Sequence, residues 1–254
     1  MGKNKLKKFA EIDKMDFVFQ YPRERLISEG FPHKGKWRED VFEKEGPLTL
    51  ELGCGKGEYT VALAKTNPHV NFIGVDIKGA RIWSGAKEIE ESGIKNASFI
   101  RTEIENIDKF FLPGEVDEIW ITFPDPQMQK VRKRLTGSRF LNLYSKILKD
   151  NGIINLKTDS PFLYEYTRRL VSLNQLEVIS MTDDLYGSGL ADPVSSIKTY
   201  YESQWLARGK KIKLISFRLK NGVELMEPEA DDIPKDDYRA YTRHTILPQI
   251  NDNL

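Results

Sequence analysis

Three glycines and four carboxylates fall where a chain can hold a small charged ligand. In ELGCGKG, residues 51–57, Gly53, Gly55 and Gly57 alternate. Glycine permits positive φ and close backbone approach, so the segment can turn tightly beneath a ligand. The spacing is G-x-G-x-G rather than the G-x-G-x-x-G of dinucleotide sites. The apolar run NFIGVDI then brings in Asp76. An acid at the tip of a second strand can accept hydrogen bonds from both hydroxyls of a ribose. Glu51 places a further negative charge beside the loop, which attracts an ammonium or sulfonium and repels a pyrophosphate. Together these residues point to an adenosine-type ligand with positive charge, S-adenosylmethionine rather than NAD.

Two further acids follow. Glu103 closes the run ASFIRTEI and can meet the adenine end of such a ligand. Asp125 lies between Pro124 and Pro126 in FPDPQMQKVRKRL, residues 123–135. The prolines restrict the backbone and hold the carboxylate in a defined place. There it can accept hydrogen bonds from the N1–H and N2–H₂ edge of a guanine. Lys130, Arg132, Lys133, Arg134 and Arg139 come directly afterwards, a local positive patch suited to phosphates.

These residues need a frame. PLTLELG at 47–53, NFIGVDI at 71–77, ASFIRTEI at 97–104, VDEIWITFPD at 116–125 and IINLKTD at 153–159 read as strands. Helices are expected at 59–66, at 78–93 with a stop at Gly93, at 137–152, and at 160–173 with Ser160 as cap and Pro161 in the first turn. LEVISMTDDL and KIKLISFRL supply late strands. Strands alternating with helices predict an α/β fold, a doubly wound and mostly parallel sheet with helices on both faces. In that arrangement Glu51, Asp76, Glu103 and Asp125 all reach the carboxyl edge of the sheet. We divide the chain into an N-terminal arm, 1–46, a catalytic domain, 47–220, and an acidic extension, 221–254.

Composition narrows the class. The chain has 254 residues, 39% hydrophobic and 30% charged, with a net charge of only +1. A uniformly basic protein is excluded, and local patches must do any nucleic-acid binding. No run of about 18 apolar residues signals a membrane helix. The basic N-terminus lacks the apolar core of a secretory signal. One cysteine, Cys54, rules out an internal disulfide and suits a cytoplasmic setting. With that cysteine and three histidines, no metal site is expected.

ELGCGKG, FIGVDI, the FPDP turn with its basic continuation, LKTD at 156–159 and TYYE at 199–202 stand in the order of one family. The chain resembles the bacterial tRNA (guanine-N7-)-methyltransferases, enzymes of the Rossmann-like class I S-adenosylmethionine-dependent fold. The resemblance covers roughly residues 47–215. It implies methyl transfer to N7 of a variable-loop guanine in tRNA. It implies that Glu51, Asp76, Glu103 and Asp125 lie at the cofactor pocket, with Gly53, Gly55 and Gly57 in the loop below, and that Asp125 is the catalytic acid. Lys130, Asp159 and the segment Thr199, Tyr200, Tyr201 and Glu202 would contact the substrate. The family usually has Trp after FPDP, followed by a basic stretch containing His. Here Gln127 and Met128 stand there and the stretch is shorter, so the assignment of the substrate lysine to Lys130 is specific to this chain. A different RNA methyltransferase and a non-catalytic RNA-binding protein on the same fold are the competing readings. The state is monomer or homodimer.

Overall fold

A computed structural model of the chain describes residues 2–236, with side chains from Leu6 onward. The end of the acidic extension, 237–254, lies outside the described residues. Eight strands form one sheet: β1 (Val18–Gln20), β2 (Leu48–Leu52), β3 (Asn71–Asp76), β4 (Ala97–Arg101), β5 (Val116–Thr122), β6 (Leu148–Thr158), β7 (Val178–Thr182) and β8 (Lys213–Leu219). Their order is β1-β4-β3-β2-β5-β6-β8-β7. Pairing is parallel from β1 to β6, and β8 lies antiparallel between β6 and β7. The helices are α1 (Gly2–Ile12), α2 (Arg23–Ser28), α3 (Glu58–Thr66), α4 (Gly79–Ser92), α5 (Ser138–Tyr144), α6 (Pro161–Leu173) and α7 (Tyr200–Ala207).

Strand composition explains the sheet. β2 is buried along its whole length, and β3 is buried up to its last residue, as expected of parallel strands covered on both faces. From β2 the chain runs outward through β3 to β4, then returns to the middle to begin β5. The order therefore reverses between β2 and β5, where Glu51 pairs in register with Trp120. A crevice opens outside the carboxyl ends of strands at such a reversal.

The helix caps match expectation at two places. Gly93 ends α4 in the left-handed conformation with φ 64°. Ser160 caps α6 by accepting from the Leu163 N–H at 2.9 Å, with Pro161 in the first turn. The helix expected over 137–152 is cut short. α5 stops at Tyr144, and β6 begins at Leu148 because Leu148 pairs with Val116. Asn151 takes φ 57° and the register shifts before Ile153 resumes against Glu118. The apolar residues Ile147 and Leu148 fit a helical period, but sheet pairing claims them.

The N-terminal segment is woven into the sheet. β1 pairs with β4, while Phe31 and Trp37 are buried with Phe110 and Phe111. At the other end, Leu225 and Ile233 join the core that includes β5, β6 and β8.

One phenyl ring sets the spacing behind the glycine loop. A Cβ on Gly57, Gly74 or Gly85 would lie 2.5, 2.5 or 2.8 Å from Phe99. Three glycines thus let α3, β3 and α4 close around one side chain. Gly57 also has φ 76° as the residue before α3. Gly74→Ala is expected to destabilise the fold by about 1–3 kcal/mol through overpacking. Combining it with Phe99→Leu should recover part of that loss, giving a non-additive cycle in urea denaturation.

Candidate functional site

β2 ends in the carboxylate that organises the site. Glu51 is 3% exposed. Its Oε2 accepts from the Thr60 N–H at 2.9 Å and from Thr60 Oγ1 at 2.5 Å, and its Oε1 accepts from Thr122 Oγ1 at 2.6 Å. Thr60 lies in the first turns of α3 and Thr122 ends β5, so the acid bridges three elements. Burial pushes its pKa up to about 7, against the lowering effect of the Thr122 and Thr60 hydrogen bonds.

The loop above is closed on itself. The N–H groups of Gly53 and Cys54 both donate to Val75 O, at 2.8 and 3.0 Å, and the Gly57 N–H donates to Cys54 O at 2.8 Å. The Gly55 N–H donates to Asp76 Oδ2 at 3.0 Å. Those amides are committed internally, so this loop is no phosphate cradle of the kind built from free N–H groups. Gly53 and Gly55 have φ of 79° and 58°, and a Cβ at either would meet only distant contacts, Leu135 at 3.9 Å and the Gly53 carbonyl at 4.0 Å.

A cavity of about 1110 Å³ runs from Glu51, Gly53 and Gly55 past Asp125 to Lys130, Thr199, Tyr200 and Tyr201. It exceeds the volume usual for one drug-sized ligand and has room for two. Asp125 stands exposed on the wall, three residues beyond β5. Its Oδ1 accepts from the Gln127 N–H at 3.0 Å. Phe123 and Gln127, on either side, both take φ 48°. Non-glycine residues rarely adopt that region, and such strain persists where surrounding structure enforces it.

Arg134 enforces it. It was expected to face phosphates with the rest of its cluster, but it is 2% exposed. Its guanidinium lies 4.8 and 4.4 Å from the Phe162 and Tyr166 rings and donates to the carbonyls of Gln127 and Met128 at 3.2 and 2.8 Å. Lys133 pairs with Glu105 at 2.9 Å, and Arg139 donates to Arg132 O at 2.8 Å. Lys130 and Arg132 remain exposed, and Lys130 lines the cavity.

Other expected site residues stand elsewhere. Gly57 packs against Phe99 and is not on the cavity wall. Asp76 and Glu103 also lie off it. Asp76 ties down the loop through Gly55 and accepts from the Lys78 N–H at 2.7 Å. Glu103 is exposed just before the 3₁₀ turn Ile104–Lys109. Asp159 is 1% exposed behind the start of α6, with Lys213 Nζ 3.4 Å from its carbonyl.

Glu202, expected to grip a base, is fully buried. Thr199 caps α7 by accepting from the Glu202 N–H at 3.1 Å, and this turns the glutamate inward. There it meets Lys157 Nζ at 2.8 Å and accepts from the Tyr186 hydroxyl at 2.5 Å. Burial pulls the Lys157 pKa down while Glu202 opposes the shift. LKTD and TYYE are thereby joined beneath the wall through Lys157 and Glu202, while Thr199, Tyr200 and Tyr201 line it. Tyr200 is 65% exposed with Lys56 Nζ 5.4 Å from its ring centre, and Tyr201 packs edge-on against Phe123 and Trp205.

The structure adds residues that motif spacing does not reveal. Thr60 and Thr122 orient Glu51. Arg81, Gln204, Lys235 and Asp236 line the cavity. Thr122 had a signal, as the last strand residue before FPDP; Lys235 and Asp236 had none, being distant in sequence. Among the described residues no group of His, Cys, Asp and Glu is arranged to hold a metal, and no helix is long and apolar enough to cross a membrane.

Residues 45–215 match the family model described as "Putative methyltransferase". The tRNA (guanine-N(7)-)-methyltransferase of Bacteroides thetaiotaomicron is 53% identical over 243 residues, 96% of each chain. That of Porphyromonas gingivalis is 57% identical over 230 residues, 89% of this chain and 94% of its own. Among solved structures, an antibiotic-related methyltransferase superposes with a TM-score of 0.54 at 18% identity, covering 72% of this chain and 92% of its own. The 16S rRNA (adenine(1408)-N(1))-methyltransferase of Catenulisporales acidiphilia gives 0.52 at 14% identity, covering 76% and 94%. At those identities the likeness speaks for the fold alone.

The Lys157–Glu202 pair generates a test. Glu202→Ala leaves an uncompensated cation at a fully buried position, with an expected loss of about 3–5 kcal/mol. Lys157→Met/Glu202→Leu should lose much less, as read from urea midpoints.

Proposed function

We propose a division of labour among the residues of this chain, which belongs to the tRNA (guanine-N(7)-)-methyltransferase family: an acidic floor for the cofactor, a proline-held acid for the base, and a cationic rim for the RNA. The protein transfers a methyl group from S-adenosylmethionine to N7 of a guanine in tRNA, and we take the variable-loop guanine as its target. The observation that carries the reading is the oriented, buried Glu51 under a loop with its amides already spent, in one cavity with Asp125 and Lys130.

The donor set fits the cofactor. Glu51 offers a carboxylate to a cationic ligand, and Gly53 and Gly55 let the ligand approach the backbone. Asp76, held beside Gly55, keeps lone pairs for ribose hydroxyls. Glu103 closes the neighbouring strand end. When bound, S-adenosylmethionine supplies a methyl group already activated by its sulfonium.

Guanine N7 carries an exposed lone pair, so no base has to remove a proton before attack. What the protein must supply is alignment. Asp125, fixed by Gln127 and by the strained backbone, can accept from the guanine edge and stabilise the positive charge that develops on the purine. Thr199 and the two tyrosines line the far side. Asp159 and Glu202 support that wall from behind. Lys130 and Arg132 hold phosphates at the entrance. Residues 47–220 carry the chemistry in this scheme, and the arm and extension complete the frame. We place the activity in the cytoplasm, where tRNA is available.

Incubation with S-adenosylmethionine and an unmodified tRNA transcript, followed by cleavage at 7-methylguanosine, tests the activity. Asp125→Asn should lower kcat by about tenfold to a hundredfold with tRNA affinity unchanged. Full turnover by that variant would refute its role.

Glu51 gives a pH test. Only the ionised acid attracts the cationic cofactor, so affinity should fall as pH drops below about 7, by up to about tenfold per unit. The raised pKa also means that the empty fold holds a proton that the unfolded chain releases. Stability from this group is present below 4.5 and is lost as pH rises through about 7. Glu51→Gln should therefore raise the melting temperature of the cofactor-free protein at pH 8. Its cofactor affinity should be weaker and flat with pH, as read by calorimetry.

A further inference from the structure

After β8 the chain turns back along α6 instead of leaving the domain. The Leu225 N–H donates to Asn142 Oδ1 at 3.3 Å, on α5. Met226 and Asn174, just past the C-terminus of α6, exchange two hydrogen bonds of 2.7 and 2.9 Å. Glu227 accepts from the Ser138 N–H and hydroxyl, at 3.2 and 2.7 Å, and from the Tyr166 hydroxyl. Asp232 meets Arg169 through two contacts of 2.6 and 2.9 Å.

The strap ends at the site. Asp236 accepts from the Phe162 N–H at 2.9 Å and from the Ser160 hydroxyl, at the N-terminus of α6. Its own N–H points at Met128 Sδ, 3.1 Å away, in the loop that carries Asp125. The segment is thus pinned at both ends of α6, and its last anchor delivers Lys235 to the cavity wall. The Asp236 carboxylate is committed to α6, which leaves the neighbouring ammonium to act on whatever enters.

We propose that Lys235 is a substrate-binding residue whose ammonium takes an RNA phosphate beside the target guanine, and that Asp236 is the positioning residue that sets it there. The inference rests on the reading that the cavity receives a tRNA guanine. It assigns to the strap a role in recognition and adds Lys235 to Lys56, Arg81 and Lys130 among the cations lining the cavity.

The test compares Lys235→Ala, Lys235→Glu and Lys235→Arg in the full-length protein, with unmodified tRNA transcript as substrate. Lys220→Ala is the control. Lys220 is exposed and follows Leu219, which pairs with Gly152 at the opposite end of the sheet from the site. Lys235→Ala should raise KM for tRNA by about fivefold to twentyfold, with kcat within about twofold and cofactor affinity unchanged. The slope of log affinity against log salt should fall by about one. Lys235→Glu should be worse, Lys235→Arg should restore KM, and the control should match wild type. Wild-type KM and salt slope in Lys235→Ala would overturn the proposal. So would a raised KM that arginine fails to restore. Wild-type protein that leaves tRNA guanine unmethylated would instead refute the reading of the site, and the proposal with it.

Discussion

The Glu51 carboxylate is held by the Thr60 amide and by the Thr60 and Thr122 hydroxyls, between the ends of two central strands. A charge at that depth is costly unless it is paired or fully hydrogen-bonded. Three donors reduce the cost but leave the acid hovering near neutrality. Among the described residues no cationic side chain pairs with it, and in the proposed scheme the cofactor supplies that cation. This constraint fixes the loop geometry, since glycines must let a ligand come close. It also explains why the loop amides turn inward, because nothing anionic is meant to meet them.

A second constraint concerns Asp125, the acid proposed to meet the base. Asp125 lies outside the last regular strand residue, so hydrogen bonding in the sheet cannot hold it. Arg134 grips the two following carbonyls from below while stacked against Phe162 and Tyr166. Positive φ at Gln127 stands at the first of those gripped carbonyls, and Phe123, tied by its N–H to Lys157 O, shares that conformation on the other side of Asp125. The same helix, α6, supplies both rings and the N-terminus on which Asp236 rests. A single element thus braces the loop from beneath and from the side.

Much of this was legible in the sequence, for identifiable reasons. The glycine loop, Asp76 and Asp125 announce themselves because each sits at a strand end, and strand ends show as apolar runs stopped by glycine or proline. Ser160-Pro161 and Gly93 are local signals read by local backbone chemistry. The failures were non-local. Ile147 and Leu148 satisfy a helical period, but pairing of Leu148 with Val116 starts β6 there and leaves Ile147 in the preceding turn. Arg134 looks like its charged neighbours until the rings of α6 close over it. Glu202 carries the polarity of a ligand contact, but its buried partner Lys157 lies in a different motif. Lys235 has no pattern around it at all, because its meaning comes from where the strap ends.

Charge is distributed along the cavity rather than summed over it. Its lining carries both signs: the acids Glu51, Glu58, Asp125 and Asp236, and the cations Lys56, Arg81, Lys130 and Lys235. A net charge near zero conceals this separation. In the proposed scheme the cationic cofactor is drawn to Glu51 and the anionic polynucleotide to Lys130 and Lys235, so each has its own partners in one crevice. In that scheme Glu51 near the end of β2 and Asp125 just beyond β5 decide which ligand groups are drawn in, and the sheet's reversal between β2 and β5 is what brings those two ends together.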